Sequence, residues 1–212
     1  MRVWGRTSSI NVQKVLWCLA ELGQLEGRDF ERLDAGLQFG VNNTPEYRTL
    51  NPNGLVPTLV DGDFVLWESH SIVRYLAARH DLGGLMPQDL QQRAHSERWM
   101  DWTQTVLWVS LRLVFTGLTR TPQEKWDIPA LRRAWDESNV ALRMLDQQLG
   151  QQAYCAGDRF TVGDIPLGVT VHRWLFLANQ FPEVLEARPE LPAVMRWYGE
   201  LSARPAFRAS VP

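Results

Sequence analysis

Two short stretches place groups where chemistry on a small ligand is possible. The first is Asn51-Pro52-Asn53-Gly54-Leu55-Val56-Pro57-Thr58-Leu59. A proline between Val56 and the strand-like Thr58-Leu59-Val60 donates nothing to a sheet ladder, so it belongs at an edge, a strand start or a turn. Such a position suits a cis bond, an uncommon feature that turns the amide and carbonyl of Val56 outward. An extended peptide-like ligand pairs with groups presented that way as an added strand. The second stretch is Glu68-Ser69, at the junction between the apolar Phe64–Trp67 run and a helical pattern. A carboxylate there can take an ammonium, while a helix start with a hydroxyl suits a carboxylate. A plain helix cap is the competing reading of Glu68-Ser69.

Other chemistries find little support. Cys18 and Cys155 have neither metal-knuckle nor Cys-x-x-Cys spacing, and the four histidines form no helical ligand pair, so no metal is expected. Two isolated thiols fit a reducing compartment. Lys plus Arg total 22 against 24 acidic residues, a net charge of -2 without long runs of one sign. That balance argues against nucleic acid or an anionic membrane as partner. The apolar run Val15 to Ala20 is too short to span a bilayer and lacks a cleavage site, which predicts a cytoplasmic protein.

The elements that must hold these residues alternate in the first eighty positions. Strands are predicted at Arg2 to Trp4, Phe30 to Leu33, Pro57 to Val60 and Phe64 to Trp67, the last two joined by the hairpin signal Asp61-Gly62. Helices are predicted at Asn11 to Leu22, with Val12, Val15, Leu16, Leu19 and Leu22 at helical spacing, and at Ser71 to His80. Between the second and third strands, Gly36, Gly40 and Pro45 mark a loop. Strand signals stop after Asp81-Leu82-Gly83-Gly84-Leu85-Met86-Pro87, a linker-like stretch. Helical patterns then run over Leu90 to Leu118, Ala130 to Leu149, Val162 to Ala178 and Leu191 to Ala203. Phe160 to Ile165 fits a capping box with Thr161 as N-cap and Asp164 at N3. The expectation is an α/β unit over residues 1–80, a linker over 81–88 and an all-helical domain over 89–212.

Taken in order, a βαβ-α-ββα unit with Val56-Pro57 before its hairpin and Glu68-Ser69 after it, then a helical domain with the Thr161 box, resembles a cytosolic glutathione transferase. The resemblance covers nearly the whole chain. It implies a thioredoxin-like domain for glutathione, a helical domain lending an electrophile pocket, a homodimer and a role in detoxification. It also implies that Val56 pairs by backbone with the cysteinyl unit, beside Pro57, that Glu68 takes the γ-glutamyl ammonium, and that Ser69 takes the γ-glutamyl carboxylate. The thiol partner must come from Arg6-Thr7-Ser8-Ser9-Ile10-Asn11. Ser9 matches the catalytic serine of serine-type members, with Ser8 its near rival. Asn11 matches an asparagine of bacterial relatives linked to disulfide reduction.

Lowering a thiol pKa by two units from ~8.5 takes about 2.7 kcal/mol. One hydrogen bond to a charged group contributes ~1.5–3 kcal/mol, and a helix N-terminus ~0.3–1 kcal/mol. A single hydroxyl donor therefore suffices. Many relatives carry lysine where this chain has Leu55, leaving Gln38 as the candidate for the glycyl carboxylate. On the long helical stretch, Asp101, Thr105, Trp108 and Arg112 recur at spacings of four, three and four, and Thr105, Trp108 and Arg112 are candidates for the electrophile pocket. Helical tryptophans are more often core than pocket. Three functions are compatible with these residues: conjugation of glutathione to small lipophilic electrophiles, glutathione-dependent disulfide reduction, and non-catalytic binding of apolar ligands.

Overall fold

Strand β1 (Arg2–Trp4) lies inside a four-stranded sheet ordered β2-β1-β3-β4, with β2 at Glu31–Leu33, β3 at Thr58–Asp61 and β4 at Phe64–Trp67. The computed structural model describes residues 1–212. β1 runs parallel to β2, with Val3 opposite Arg32, and antiparallel to β3, with Val3 opposite Leu59. A parallel pair needs a crossover, and helix α1 (Ile10–Glu21) provides it. The antiparallel pair β3–β4 closes through the Asp61-Gly62 turn, where Gly62 has φ +61°.

Between β2 and β3 the structure differs from the predicted loop. Two 3₁₀ turns (Leu37–Phe39, Val41–Asn43) lead into helix α2 (Pro45–Leu50). Thr44 caps it by accepting from the Tyr47 amide, and Pro45 occupies the first turn, where no amide is needed. Six residues are too few for a periodic signal. Helix α3 (Ser69–His80) begins directly after β4, two residues earlier than its pattern predicts. It packs on α1 through Ile72, Val73, Leu76 and Ala77, all buried.

The chain forms two compact units, Met1–Leu90 with Ser202–Pro212, and Gln91–Leu201. The expected helical domain through residue 212 therefore loses its last segment to the first unit. Helix α9 (Pro205–Ser210) packs on α1, where Phe207 meets Trp17 edge-on at 4.8 Å and Arg204 forms a two-nitrogen ion pair with Glu21 at 2.6 and 2.7 Å.

The second unit is helical: α4 (Leu90–Trp102), α5 (Trp108–Arg120), α6 (Ile128–Leu149), α7 (Asp164–Gln180) and α8 (Pro192–Ala203). The single helix predicted over 90–118 is interrupted by a π-helical turn at Thr103–Leu107. There the hydroxyls of Thr103 and Thr105 donate to the carbonyls of Trp99 and Asp101, competing with the helical ladder. Half of the ten tryptophans belong to cores. Trp135 stacks on Trp174 at 5.7 Å, while the Trp174 and Trp197 indoles donate to Asn139 and Asp164. Trp99 is buried as well.

The Thr161 box forms only its acidic half. Asp164 Oδ2 accepts from the Thr161 amide at 2.9 Å, but the Thr161 hydroxyl is engaged by Ser96 at 2.8 Å, and the helix itself starts at Asp164 after Gly163.

Candidate functional site

The first unit brings both sequence stretches to one cavity. Asn11, Asn51, Asn53, Leu55, Val56, Pro57, Glu68 and Ser69 line a cavity of about 40 Å³. The Val56–Pro57 bond is cis, and neither the amide nor the carbonyl of Val56 is hydrogen-bonded within the chain. An unpaired extended backbone beside a cavity offers a ligand both a donor and an acceptor.

The loop that presents Val56 is braced from below. Tyr47 Oη donates to the Leu55 carbonyl at 2.6 Å, and buried Asn51 donates through Nδ2 to the same carbonyl at 3.0 Å and to the Thr58 hydroxyl at 3.1 Å. Gly54 is required here. Its φ is +61°, and a Cβ would sit 3.0 Å from the Asn42 carbonyl oxygen.

Glu68 stands at the start of α3 with φ +71° and ψ 112°, a conformation that non-glycine residues rarely adopt, and its side chain makes no capping bond. Strain of this kind costs about 1–3 kcal/mol and is retained where the surroundings or a function demand it. Ser69, buried, is the first residue of α3, and its hydroxyl reaches Asn11 Oδ1 at 3.5 Å.

The start of α1 faces the same cavity through Asn11. Ser9 occupies the N-cap with extended dihedrals (φ -82°, ψ 122°), yet its hydroxyl makes no capping bond and has no partner. The Ser9 side chain therefore does not serve to cap the helix. Asn11 Oδ1 accepts from Lys14 Nζ at 3.0 Å and from Ser69, which fixes the amide orientation and leaves Nδ2 as an unused donor.

Lys14 was silent in the sequence. It is buried, bonded also to His70 Nε2 at 3.1 Å, and burial pulls its ammonium down to about 7 although the charge of Glu68 opposes the shift. Its signal was a lysine inside an otherwise apolar helix face; only the fold reveals that α3 covers it.

Not every expected residue joins the cavity. Ser9 is buried at its edge of α1 and is not among the lining residues, and Gln38 lies exposed on a 3₁₀ turn, also away from the lining. Leu55 lines the cavity and is 63 % exposed, so that position offers no cation. Asn51 and Asn53 were missed as lining residues, although the Asn-Pro-Asn-Gly turn pattern pointed at their loop. In the second unit, Thr105 and Arg112 are exposed and Trp108 is half-buried, its ring 6.2 Å from Phe115. Thr105 spends its hydroxyl on the Asp101 carbonyl.

The protein's own thiols are unsuited to nucleophilic work. Cys18 and Cys155 are free and fully buried, and desolvation pushes both thiols up, assisted by Glu21 at Cys18 and by Asp164 at Cys155. A thiol reacting here must arrive with the ligand.

Comparison with known proteins agrees with this geometry. Residues 8–79 match the family model "Glutathione S-transferase, N-terminal domain", and residues 128–200 match "Glutathione S-transferase, C-terminal domain". Glutathione S-transferase GstB of Escherichia coli K12 is 39 % identical over 211 residues, covering 99 % of this chain and 96 % of that protein. The chain belongs to the glutathione S-transferase family. A solved theta class glutathione S-transferase from Xanthomonas axonopodis pv. citri, with glutathione bound, is 44 % identical with a TM-score of 0.89, covering 99 % of this chain and 96 % of that one. Glutathione S-transferase 3 of Zea mays is 30 % identical across the full chain and 93 % of its own length. As a family member, the chain has the thioredoxin-like sheet unit followed by the all-helical unit expected from its sequence pattern. No helix is long and apolar enough to cross a membrane.

Proposed function

We propose that the protein is a glutathione transferase that binds glutathione in the Val56–Ser69 cavity and transfers its thiolate to small lipophilic electrophiles. The observation that carries the thiolate assignment is the start of α1, where the Ser9 hydroxyl and the Asn11 amide are donors that the fold itself does not use. A thiolate is the acceptor that two such donors favour over a thiol. Ser9 donates its hydrogen to the sulfur rather than removing the thiol proton, and Asn11 is the second donor, held by Lys14. Val56 pairs with the cysteinyl unit beside Pro57; Glu68 takes the γ-glutamyl ammonium, and Ser69 with the α3 N-terminus takes its carboxylate. Gln38 is the candidate for the glycyl carboxylate.

The electrophile is held by the helical unit, with Thr105, Trp108 and Arg112 as candidates. The protein acts in the cytoplasm as a homodimer, needs no metal and serves detoxification. The domain division at residues 81–88 belongs to the same reading, with Ser202–Pro212 returned to the glutathione unit. Support comes from the relatives' names, from the cavity lining and from the inert buried cysteines.

Turnover of 1-chloro-2,4-dinitrobenzene and of a small disulfide, each with excess glutathione, tests this reading. Conjugation faster than reduction supports it. The reverse order assigns Asn11 to a disulfide reductase, and no turnover of either compound makes the protein a non-catalytic binder.

A further inference from the structure

Lys14 spends a buried amine on two groups that are not anions. Its Nζ meets Asn11 Oδ1 at 3.0 Å and His70 Nε2 at 3.1 Å, and no carboxylate is bonded to it. Lys14 and His70 are both buried, and their contact joins α1 to α3 one turn from Asn11 and next to Ser69, two residues of the cavity lining. Stability alone does not call for a lysine here. Burial works against its charge, with only the field of Glu68 opposing the shift, and an apolar side chain of similar length would avoid that desolvation.

The partner that needs such a lysine is Asn11. A carboxamide has an acceptor at one end and a donor at the other, in nearly the same shape, so its surroundings decide which end faces the cavity. The Ser69 hydroxyl, 3.5 Å away, does not decide, because a hydroxyl can donate or accept. An ammonium only donates, so it admits Oδ1 and leaves Nδ2 as the free end. A neutral amine keeps one lone pair that would accept an Nδ2 hydrogen, and His70 with its proton on Nε2 occupies that lone pair. In both protonation states Lys14 therefore meets Asn11 as a donor.

We propose that Lys14, held by His70, is a positioning residue of the thiol site, fixing the Asn11 carboxamide so that Nδ2 rather than Oδ1 faces the glutathione sulfur. Lys14 is not among the cavity-lining residues and acts through Asn11, not through its own charge. The inference rests on the transferase reading, in which Asn11 is one of two thiolate donors. It adds the device that keeps the other end of the amide, which would favour the neutral thiol, away from the sulfur.

A double-mutant cycle on the intact protein tests this, read as the pKa of bound glutathione from thiolate absorbance against pH. Lys14→Met, similar in length but without donors, should raise that pKa by about one unit, as Asn11→Ala should, and the double variant should rise no further than Asn11→Ala alone. Affinity for S-methylglutathione, which has no thiol to ionise, should change less than about twofold in Lys14→Met. His70→Leu should give about half the rise, again only while Asn11 is present. Should Lys14→Met not fold, as judged by far-ultraviolet dichroism, His70→Leu and its combination with Asn11→Ala decide by the same criteria. A Lys14→Met rise that persists undiminished without Asn11 would show a direct field effect and overturn the proposal. An unshifted pKa in Lys14→Met would also overturn it, as would a loss of S-methylglutathione affinity large enough to mark a collapsed cavity. If Asn11→Ala itself leaves the pKa unchanged, the transferase reading loses its second donor and this inference falls with it. A shift in Asn11→Ala without one in Lys14→Met leaves that reading standing and removes the positioning role alone.

Discussion

Helices α7 and α3 begin in opposite ways. At α7 the fully buried Asp164 accepts from the amides of Thr161 and Cys155 at 2.9 and 3.0 Å and from the Trp197 indole at 2.9 Å, so the helix start is closed by the protein's own groups. At α3, Glu68 sits at φ +71° and caps nothing; the neighbouring start of α1 has an N-cap serine without a capping bond. Both patterns carry the residue types of a helix cap. What separates them is where the acceptors and donors are used: inward at α7, unspent beside a cavity at α1 and α3. A closed helix start serves stability, and an open one keeps its hydrogen-bonding capacity for a ligand.

The largest effect expected from this contrast is at the closed start. Asp164→Ala removes the shared acceptor of the Thr161 amide, the Cys155 amide and the Trp197 indole in a dry environment and should cost about 3–5 kcal/mol of stability in urea unfolding, since each buried donor left unpaired costs ~1–3 kcal/mol. A loss under 1 kcal/mol would erase the distinction. At the open start of α1, Ser9→Ala should raise the pKa of bound glutathione by one to two units, about 1.4–2.7 kcal/mol, with stability nearly unchanged. Asn11→Ala should raise it by about one unit and Ser8→Ala should leave it alone; thiolate absorbance against pH reads all three. Equal, negligible shifts would mean that α1 is as structural as α7.

Glu68 sharpens the comparison within one residue. Glu68→Ala should raise the KM for glutathione about tenfold with less effect on kcat, because the contact proposed for it belongs to ground-state binding. Glu68→Gly should show the same KM defect yet gain up to about 1 kcal/mol of stability by relieving the positive φ. An unchanged KM in both would assign Glu68 to the helix start alone.

The smallest effect concerns Lys14, whose folded pKa of about 7 lies below its unfolded value of 10.5. Between those values the unfolded chain holds a proton that the folded chain lacks, so the Lys14 contribution to stability rises with pH across that window. The stability of the parent relative to Lys14→Met should therefore increase from pH 7 to pH 10. A flat difference would show that the ammonium is not desolvated.

Signals of period and turn chemistry were legible in the sequence; signals that depend on what covers a residue were not. All four strands and the hairpin followed from alternation and Asp61-Gly62, and Val56-Pro57 announced an exposed backbone edge because proline removes a ladder donor. Helix α2 had no periodic signal of its own, because its six residues rest on a cap and an N1 proline, and only the family pattern implied a helix between the second and third strands. The π turn escaped because Thr103 and Thr105 read as ordinary helix positions until their hydroxyls are seen taking carbonyls. At the cavity, Asn11 was readable as a polar residue in the right turn, but the orientation of its amide depends on Lys14 one turn along α1 and on Ser69 arriving from α3.

The return of Ser202–Pro212 to the first unit has a consequence during synthesis. Trp17 and Glu21 on α1 find Phe207 and Arg204 only after the whole of Gln91–Leu201 has been translated. At about 5–20 residues per second, the glutathione unit waits about 6 to 22 seconds with that flank of α1 uncovered. The intervening helical unit is continuous in sequence and meets no such delay, so the segment emerging later from the ribosome is the one able to complete its own core first. For this chain the order of translation and the order of completion run in opposite directions.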